Sequence, residues 1–297
     1  FLSIFFAMII GDGGYGVIIL GLSLFALIRG KVKSGSVGKG PVLLTVLSLA
    51  TVAWGAVTGT WFGYEPIGNL PFFRALEIPA ISSFNPRSRE TIQFICFVLG
   101  TVHLSIAHLW LFIKGLRERP AVRAFGDLGW LVLVLGAYWL VLTVVLADPL
   151  PQYSLYMIAA GFGMVILFGE QQEGSGFFAG LGRGLNPINL FSKALDSISA
   201  FSDIISYIRL FAVGLATVEI AKAFNTMAQG AGDGVIGVVA AIFILFVGHT
   251  LNLVMGALSV VVHGIRLNML EFSRHLGMEW SGVDYNPFRK REAPTTT

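Results

Sequence analysis

Charge is what this sequence has least of. Among 297 residues only 12% are Asp, Glu, Lys or Arg, against 55% hydrophobic, and the mean hydropathy is +0.77. Soluble domains carry roughly 25% charged residues, so a soluble enzyme is excluded. The one cysteine, Cys96, rules out an intramolecular disulfide and the multi-cysteine metal motifs. A net charge of +3 is too small for a nucleic-acid partner. No charged leader or cleavage site precedes the first apolar run, and residue 1 is Phe rather than Met. A piece of a longer protein, cut within or just before a hydrophobic segment, is therefore expected. The glycines of 174–184 lack the Gly-Lys-Ser/Thr of a phosphate loop, so no nucleotide site is expected there. No cofactor or metal is expected either.

What the sequence has is long apolar runs, at about 1–28, 41–64, 91–113, 121–147, 153–168, 190–228 and 235–273. A spanning helix needs about 20 such residues, and a bilayer leaves helices as the means of satisfying the backbone of each run. The fifth run is short for a span, and the last two are unusually long. Basic residues set the orientation. With alternating spans, Arg29, Lys31, Lys33, Lys39, Lys114, Arg117, Arg119, Arg123, Arg183, Lys193, Arg274, Arg289, Lys290 and Arg291 share one side. The other side receives Arg74, Arg87 and Arg89. The positive-inside rule makes the richer side cytoplasmic. Within the first run, Gly11-Asp12-Gly13-Gly14-Tyr15-Gly16 is a poor helix interior. Read as a turn, it gives about eight helices, the first truncated and both chain ends cytoplasmic. Read as a packing-driven glycine cluster, it leaves a single helix.

Three basic residues, Arg209, Lys222 and Arg266, fall inside apolar runs. An intramembrane arginine costs about 2.5–3.5 kcal/mol on insertion scales and marks a functional site by default. Its pKa above about 12 makes it a permanent charge, not a proton carrier. Snorkelling suits Lys222, and Arg266 better than Arg209. Ser199, Ser202, Ser206, Arg209, Ala212 and Ala216 recur at three- and four-residue steps, one helix face. That face is a close-packing seam with a charge in its middle, and Asp196 and Asp203 adjoin it on the cytoplasmic side. On the last run, His249, Asn252, Gly256, Ser259, His263 and Arg266 form a second stripe, about 26 Å long at about 1.5 Å per residue. It reads as a hydrated path whose imidazoles pass protons, or as a packing seam. His103 and His108, five apart, read as helix-interface residues rather than paired ligands. Trp54 to Gly63 reads as a glycine-mediated helix contact ending in interfacial aromatics.

Four stretches carry a family resemblance: Phe6 to Gly16, Trp54 to Gly63, Ser206 to Ala216, and His263 to Leu267 leading to Glu271. The chain resembles the carboxyl-terminal membrane half of the large stator subunit, called a or I, of rotary V-type and A-type ATPases, closer to bacterial and archaeal members. The resemblance implies an all-α polytopic membrane protein beside a rotating, membrane-embedded proteolipid ring (subunit c or K), tied to a peripheral stalk. It implies two ion half-channels, coupled to ATP hydrolysis or synthesis on other subunits, and no catalysis of its own. The family's two essential arginines fall on Arg209 and Arg266. Half-channel candidates are Asp196, Asp203, Ser206, Thr217, Glu219, His249, Asn252, Ser259, His263 and Glu271. There are departures: Thr217 stands where eukaryotic members carry a histidine, and Gly256 where they carry a glutamate. The family's amino-terminal cytoplasmic domain is absent from the chain. Residues 1–189 are expected to be packing helices, 190–277 a long, tilted ion-path pair, and 278–297 a cytoplasmic tail. A self-contained secondary transporter, with Arg209 binding an anionic substrate at the midplane, is the alternative. No repeat pairs the two halves in support of it.

Overall fold

The computed structural model describes residues 1–35, 38–278 and 281–282. Arg289, Lys290 and Arg291, with most of the expected tail, lie outside the described residues. Every regular element among the described residues is helical. Among the described residues six stretches are long and apolar enough to cross a bilayer: Gly13–Lys33, Lys39–Thr58, Ser88–Gly115, Ala121–Leu146, Pro187–Gln229 and Val235–His275. Gln152–Phe168, the short fifth run, has 17 residues and falls below that length.

The principal helices are α1 (Leu2–Ile10), α2 (Gly13–Ser34), α3 (Lys39–Thr58), α4 (Ser88–Gly115), α5 (Ala124–Leu146), α6 (Gln152–Phe168), α7 (Pro187–Ser206), α8 (Ile208–Gln229) and α9 (Val235–Ser259). The first run is indeed interrupted. Gly11 closes α1 in the left-handed region, at φ +70°, where glycine carries no steric penalty. Asp12 then caps α2, its carboxylate accepting from the N–H groups of Gly14 and Tyr15. The same carboxylate accepts from Phe62 N at 2.9 Å and Gly63 N at 2.8 Å, pinning the turn after α3 to the start of α2. The contact expected around Trp54–Gly63 is here: a Cβ on Gly55 would land on the backbone of Gly13.

α1 is apolar all round, and Phe5 to Ile10 are buried, as such a helix requires. It packs against α3, α8 and the last helix, and so holds the centre of the core. Gly214 lets α8 approach, since a side chain there would strike the Met8 carbonyl. On the other flank α5 and α6 meet through Gly129 and Gly161, whose backbones touch.

The two long runs are not uniform α-helices. The first divides at Tyr207: its N–H bonds Ile204 O at 3.2 Å and its carbonyl accepts Leu210 N at 3.0 Å, both three-residue bonds that tighten the turn. This break separates Ser199, Ser202 and Ser206 on α7 from Arg209, Ala212 and Ala216 on α8, so the expected seam is divided between two helices. The second run stays helical to His275 but holds two π-helical segments, Val260–Gly264 and Leu267–Glu271. Each widens the turn and rotates the residues beyond it relative to an α stripe.

Candidate functional site

Arg209 lies in the first turn of α8, directly after the Tyr207 break. Its Nη2 is 3.1 Å from Oε1 of Glu271, at the end of the second π segment. The same oxygen accepts from Arg266 Nε at 3.3 Å. In a regular α-helix, residues 266 and 271 sit on different faces; the five-residue π spacing brings them together. Glu271 is almost sealed, its side chain 6% exposed, while those of Arg209 and Arg266 are 24% and 56% exposed. A carboxylate so buried needs partners, and two cations supply them. The triad keeps one net positive charge. Oε2 of Glu271 is buried without a hydrogen-bond partner, and Glu271 borders a recess of about 340 Å³ shared with Asp203, Arg266 and Arg274.

Towards the basic side of the chain, Asp203 forms a second cluster. Its Oδ2 accepts from His275 Nε2 at 2.8 Å and is ion-paired with Arg274. His275 Nδ1 lies 2.8 Å from Nε2 of His108. Ser206 turns back onto the Asp203 carbonyl at 2.6 Å. Asp196, on the exposed side of α7, lines a separate recess of about 290 Å³ with Lys193, His108 and His275.

Towards the other end, Tyr15 Oη is 2.7 Å from His249 Nδ1, and His249 Nε2 is 3.1 Å from Asn225 Oδ1. Asn252 donates to Tyr15 Oη at 2.9 Å and to the Thr217 carbonyl at 2.8 Å. Thr217 Oγ1 bonds Val213 O within its own helix and Ile9 O of α1. His249 and Asn225 border a recess of about 330 Å³ with Phe62 and Tyr64. Gly256 sits against Ile10. The stripe of the last helix therefore differs along its length: His249, Asn252 and Gly256 are packed against or bonded to neighbours, whereas Arg266 opens onto the recess it shares with Asp203 and Glu271. Between them, Ser259 and His263 are half-buried, and His263 Nδ1 has no partner.

Glu219 stands apart, paired with Arg89 at 3.5 Å and Lys222 at 3.3 Å. Lys222 donates to Ser83 O and lies over the Phe84 ring, as a snorkelling lysine at a loop end does. His103, bonded to Tyr207 Oη at 2.8 Å, and His108 are the interface residues their spacing implied. Sequence reasoning missed Tyr15, Asn225 and His275 as polar partners. The glycine-rich stretch holding Tyr15 was visible, but nothing in it says that its hydroxyl reaches a helix 234 residues away.

No protein-family model matches the chain. Among curated proteins it is 42% identical to the V-type ATP synthase subunit I of Borreliella burgdorferi, over 98% of this chain and 48% of that protein. It is 33% identical to V-type ATP synthase subunit I 1 of Treponema pallidum, over 98% of this chain and 46% of the relative. With the A-type ATP synthase subunit I of Methanocaldococcus jannaschii it shares 29% identity over 99% and 44%. The chain thus spans about half the length of the curated relatives it matches. Its six long apolar helices and these relatives make it part of a multi-pass membrane protein. Over the portion that it spans, the chain is a homologue of the V-type and A-type ATP synthase subunit I proteins.

Proposed function

We propose that this chain is the membrane part of the stator of a rotary ATPase and provides the ion half-channels beside a rotating proteolipid ring. It couples proton or sodium translocation to ATP hydrolysis or synthesis performed elsewhere in the complex, and has no catalysis of its own. Its partners are the ring, the peripheral stalk and the lipid of a bacterial or archaeal plasma membrane. The observation that carries this reading is the convergence of Arg209 and Arg266, from separate helices, on one oxygen of Glu271.

The triad's remaining positive charge disfavours a protonated ring carboxylate beside it and favours the ionised one, which forces release of the ion on arrival. Because an arginine keeps its proton, the cation cannot itself relay one across and short-circuit the two paths. The outer path runs by His249, Asn252 and Thr217, with Ser259 and His263 between it and the triad; the inner one runs by Asp196, Asp203, Ser206 and Glu271. Glu219 lies at the outer surface. The topology has eight crossings, with α7 and α8 together making the seventh and with α1 and α2 separate. Packing of α3 along both supports this, since a straight continuation would carry α1 past the end of α3.

The test is ATP-driven ion uptake by the complete complex in vesicles. Arg209→Ala and Arg209→Gln abolish uptake while the complex still assembles and copurifies with a small ring-forming proteolipid. Arg209→Lys is severely impaired, because a compact ammonium cannot reproduce the planar fork and titrates when desolvated. Normal coupled uptake by an assembled Arg209→Ala complex would rule the reading out.

A further inference from the structure

We propose that His108, His275 and Asp203 form a proton relay leading towards Glu271 on the inner side, so that the ion this chain carries is the proton. The proposal rests on the reading above. Its starting point is the hydrogen-bond string His108 Nε2 to His275 Nδ1 at 2.8 Å and His275 Nε2 to Asp203 Oδ2 at 2.8 Å. Three helical segments contribute: α4, α7 and the final turn Phe272–His275.

Chemistry fixes the direction of each bond. An ionised Asp203, held by Arg274, accepts only, so His275 Nε2 carries a hydrogen. In the neutral ring Nδ1 is then an acceptor, and His108 Nε2 donates to it. That leaves His108 Nδ1 as a bare lone pair, and this atom is buried without a partner. His108 is 5% exposed, yet it borders the recess that also holds Asp127, Asp196 and Lys193. Asp203 borders the other recess, which Glu271 also lines. The string therefore joins two recesses.

One proton taken by His108 Nδ1 displaces the Nε2 proton onto His275 Nδ1. The His275 Nε2 proton then passes to the Asp203 carboxylate. One proton enters and one leaves, both rings change tautomer, and no charge is stranded between them. Rotation of the rings resets the string for the next proton, since the reverse shift would only return the first one to its source. A sodium ion has no part in such a sequence, since imidazole nitrogens passing hydrogens provide no oxygen cage for it.

The experiment uses the complete complex in vesicles, with uptake normalised to copurified ring. His275→Gln retains an amide able to bond both neighbours but cannot shuttle a proton. Proton uptake by it should fall about a hundredfold, the order that a lost proton-transfer group produces. His275→Ala should fall as far and recover in part with millimolar imidazole, whereas a purely structural loss would not recover. His108→Gln carries the same expectation and serves where a His275 variant does not assemble. Failure of all these variants to assemble would overturn the relay in favour of a structural clamp. So would normal uptake by an assembled His275→Gln complex, or accumulation of sodium in place of protons by the unaltered one. Normal uptake by Arg209→Ala sinks the stator reading itself; normal uptake by His275→Gln with Arg209→Ala inactive sinks only the relay.

Discussion

Arg209 Nη2 lies 3.1 Å from Glu271 Oε1, although 62 residues separate the two in sequence. The bond ties the first turn of α8 to the final π segment of the last helix. It exists because both runs depart from regular α-helix. The Tyr207 break resets the facing of Arg209, and the π spacing brings Glu271 under Arg266. A charge this expensive to insert is held by a partner that would be costly if left alone.

Removing the partner is the direct test. Glu271→Ala leaves Arg209 partly buried with no counter-ion, and breaking a buried pair costs roughly 3 kcal/mol. Thermal unfolding of the purified complex should show that loss, together with loss of coupled uptake. Glu271→Gln keeps an acceptor oxygen for both arginines and should be milder in stability yet still defective in coupling. The double variant Glu271→Gln/Arg266→Gln keeps the net charge of the triad at one, and should recover stability relative to Glu271→Gln alone. Additive losses in that double-mutant cycle would refute the shared-carboxylate arrangement.

How much of this was legible in the sequence follows from what periodicity encodes. The apolar runs, the interruption near Gly11, the shortness of α6 and the presence of Arg209 and Arg266 inside apolar runs were all readable, because hydropathy and misplaced charge are local signals. The two stripes were only half readable. A spacing of three and four assumes α geometry, so the Tyr207 break and the π segments, which have no proline to announce them, shift the faces silently. Partnerships across helices were not readable. His249 with Tyr15, and Asp203 with His275, depend on which helices neighbour each other. His108 was legible as an interface residue, but its alignment with His275 and Asp203 was not.

Asp12 should prove a structural linchpin without any part in conduction. Asp12→Ala removes a helix cap, about 1 kcal/mol, and leaves the Phe62 and Gly63 N–H groups unpaired at about 1–3 kcal/mol each. Asp12→Asn should lose less, since Oδ1 alone accepts from Gly14, Tyr15 and Phe62. The readout is the thermal midpoint and yield of the complex. Equal losses in the two variants would show that the charge, not the oxygen, matters.

Glycines in the helices should split into two classes. Gly55→Ala forces a methyl into the Gly13 backbone and should separate α3 from α2, lowering the yield of assembled complex. Gly21→Ala, with no heavy atom within 4 Å of the added carbon, should be neutral or stabilising by up to about 1 kcal/mol through helix propensity. A loss for Gly21→Ala as large as that for Gly55→Ala would mean a partner packs on the outer face of α2.

Water access distinguishes the two ends of the last helix. Leu270 borders the inner recess, whereas Asn252 is 1% exposed between Tyr15 and the Thr217 carbonyl. A thiol reacts as its thiolate, so apolar burial silences it and hydration permits it. In the assembled complex, Leu270→Cys should be labelled by a small charged thiol reagent added from the side bearing Arg274. Asn252→Cys, sealed by its neighbours but on the proposed outer path, should be labelled slowly and from the opposite side only, and Val254→Cys, on the apolar face of α9, should stay unlabelled. Cys96, fully buried in the core, provides the unreactive reference within the same chain. Rapid labelling at Asn252 would mean that the Tyr15–His249–Asn225 network opens in the working complex and that water reaches the stripe from its outer end. Silence at Leu270 would mean that the ring or another subunit seals the inner recess, and the path to Glu271 would then have to begin at Asp196 instead.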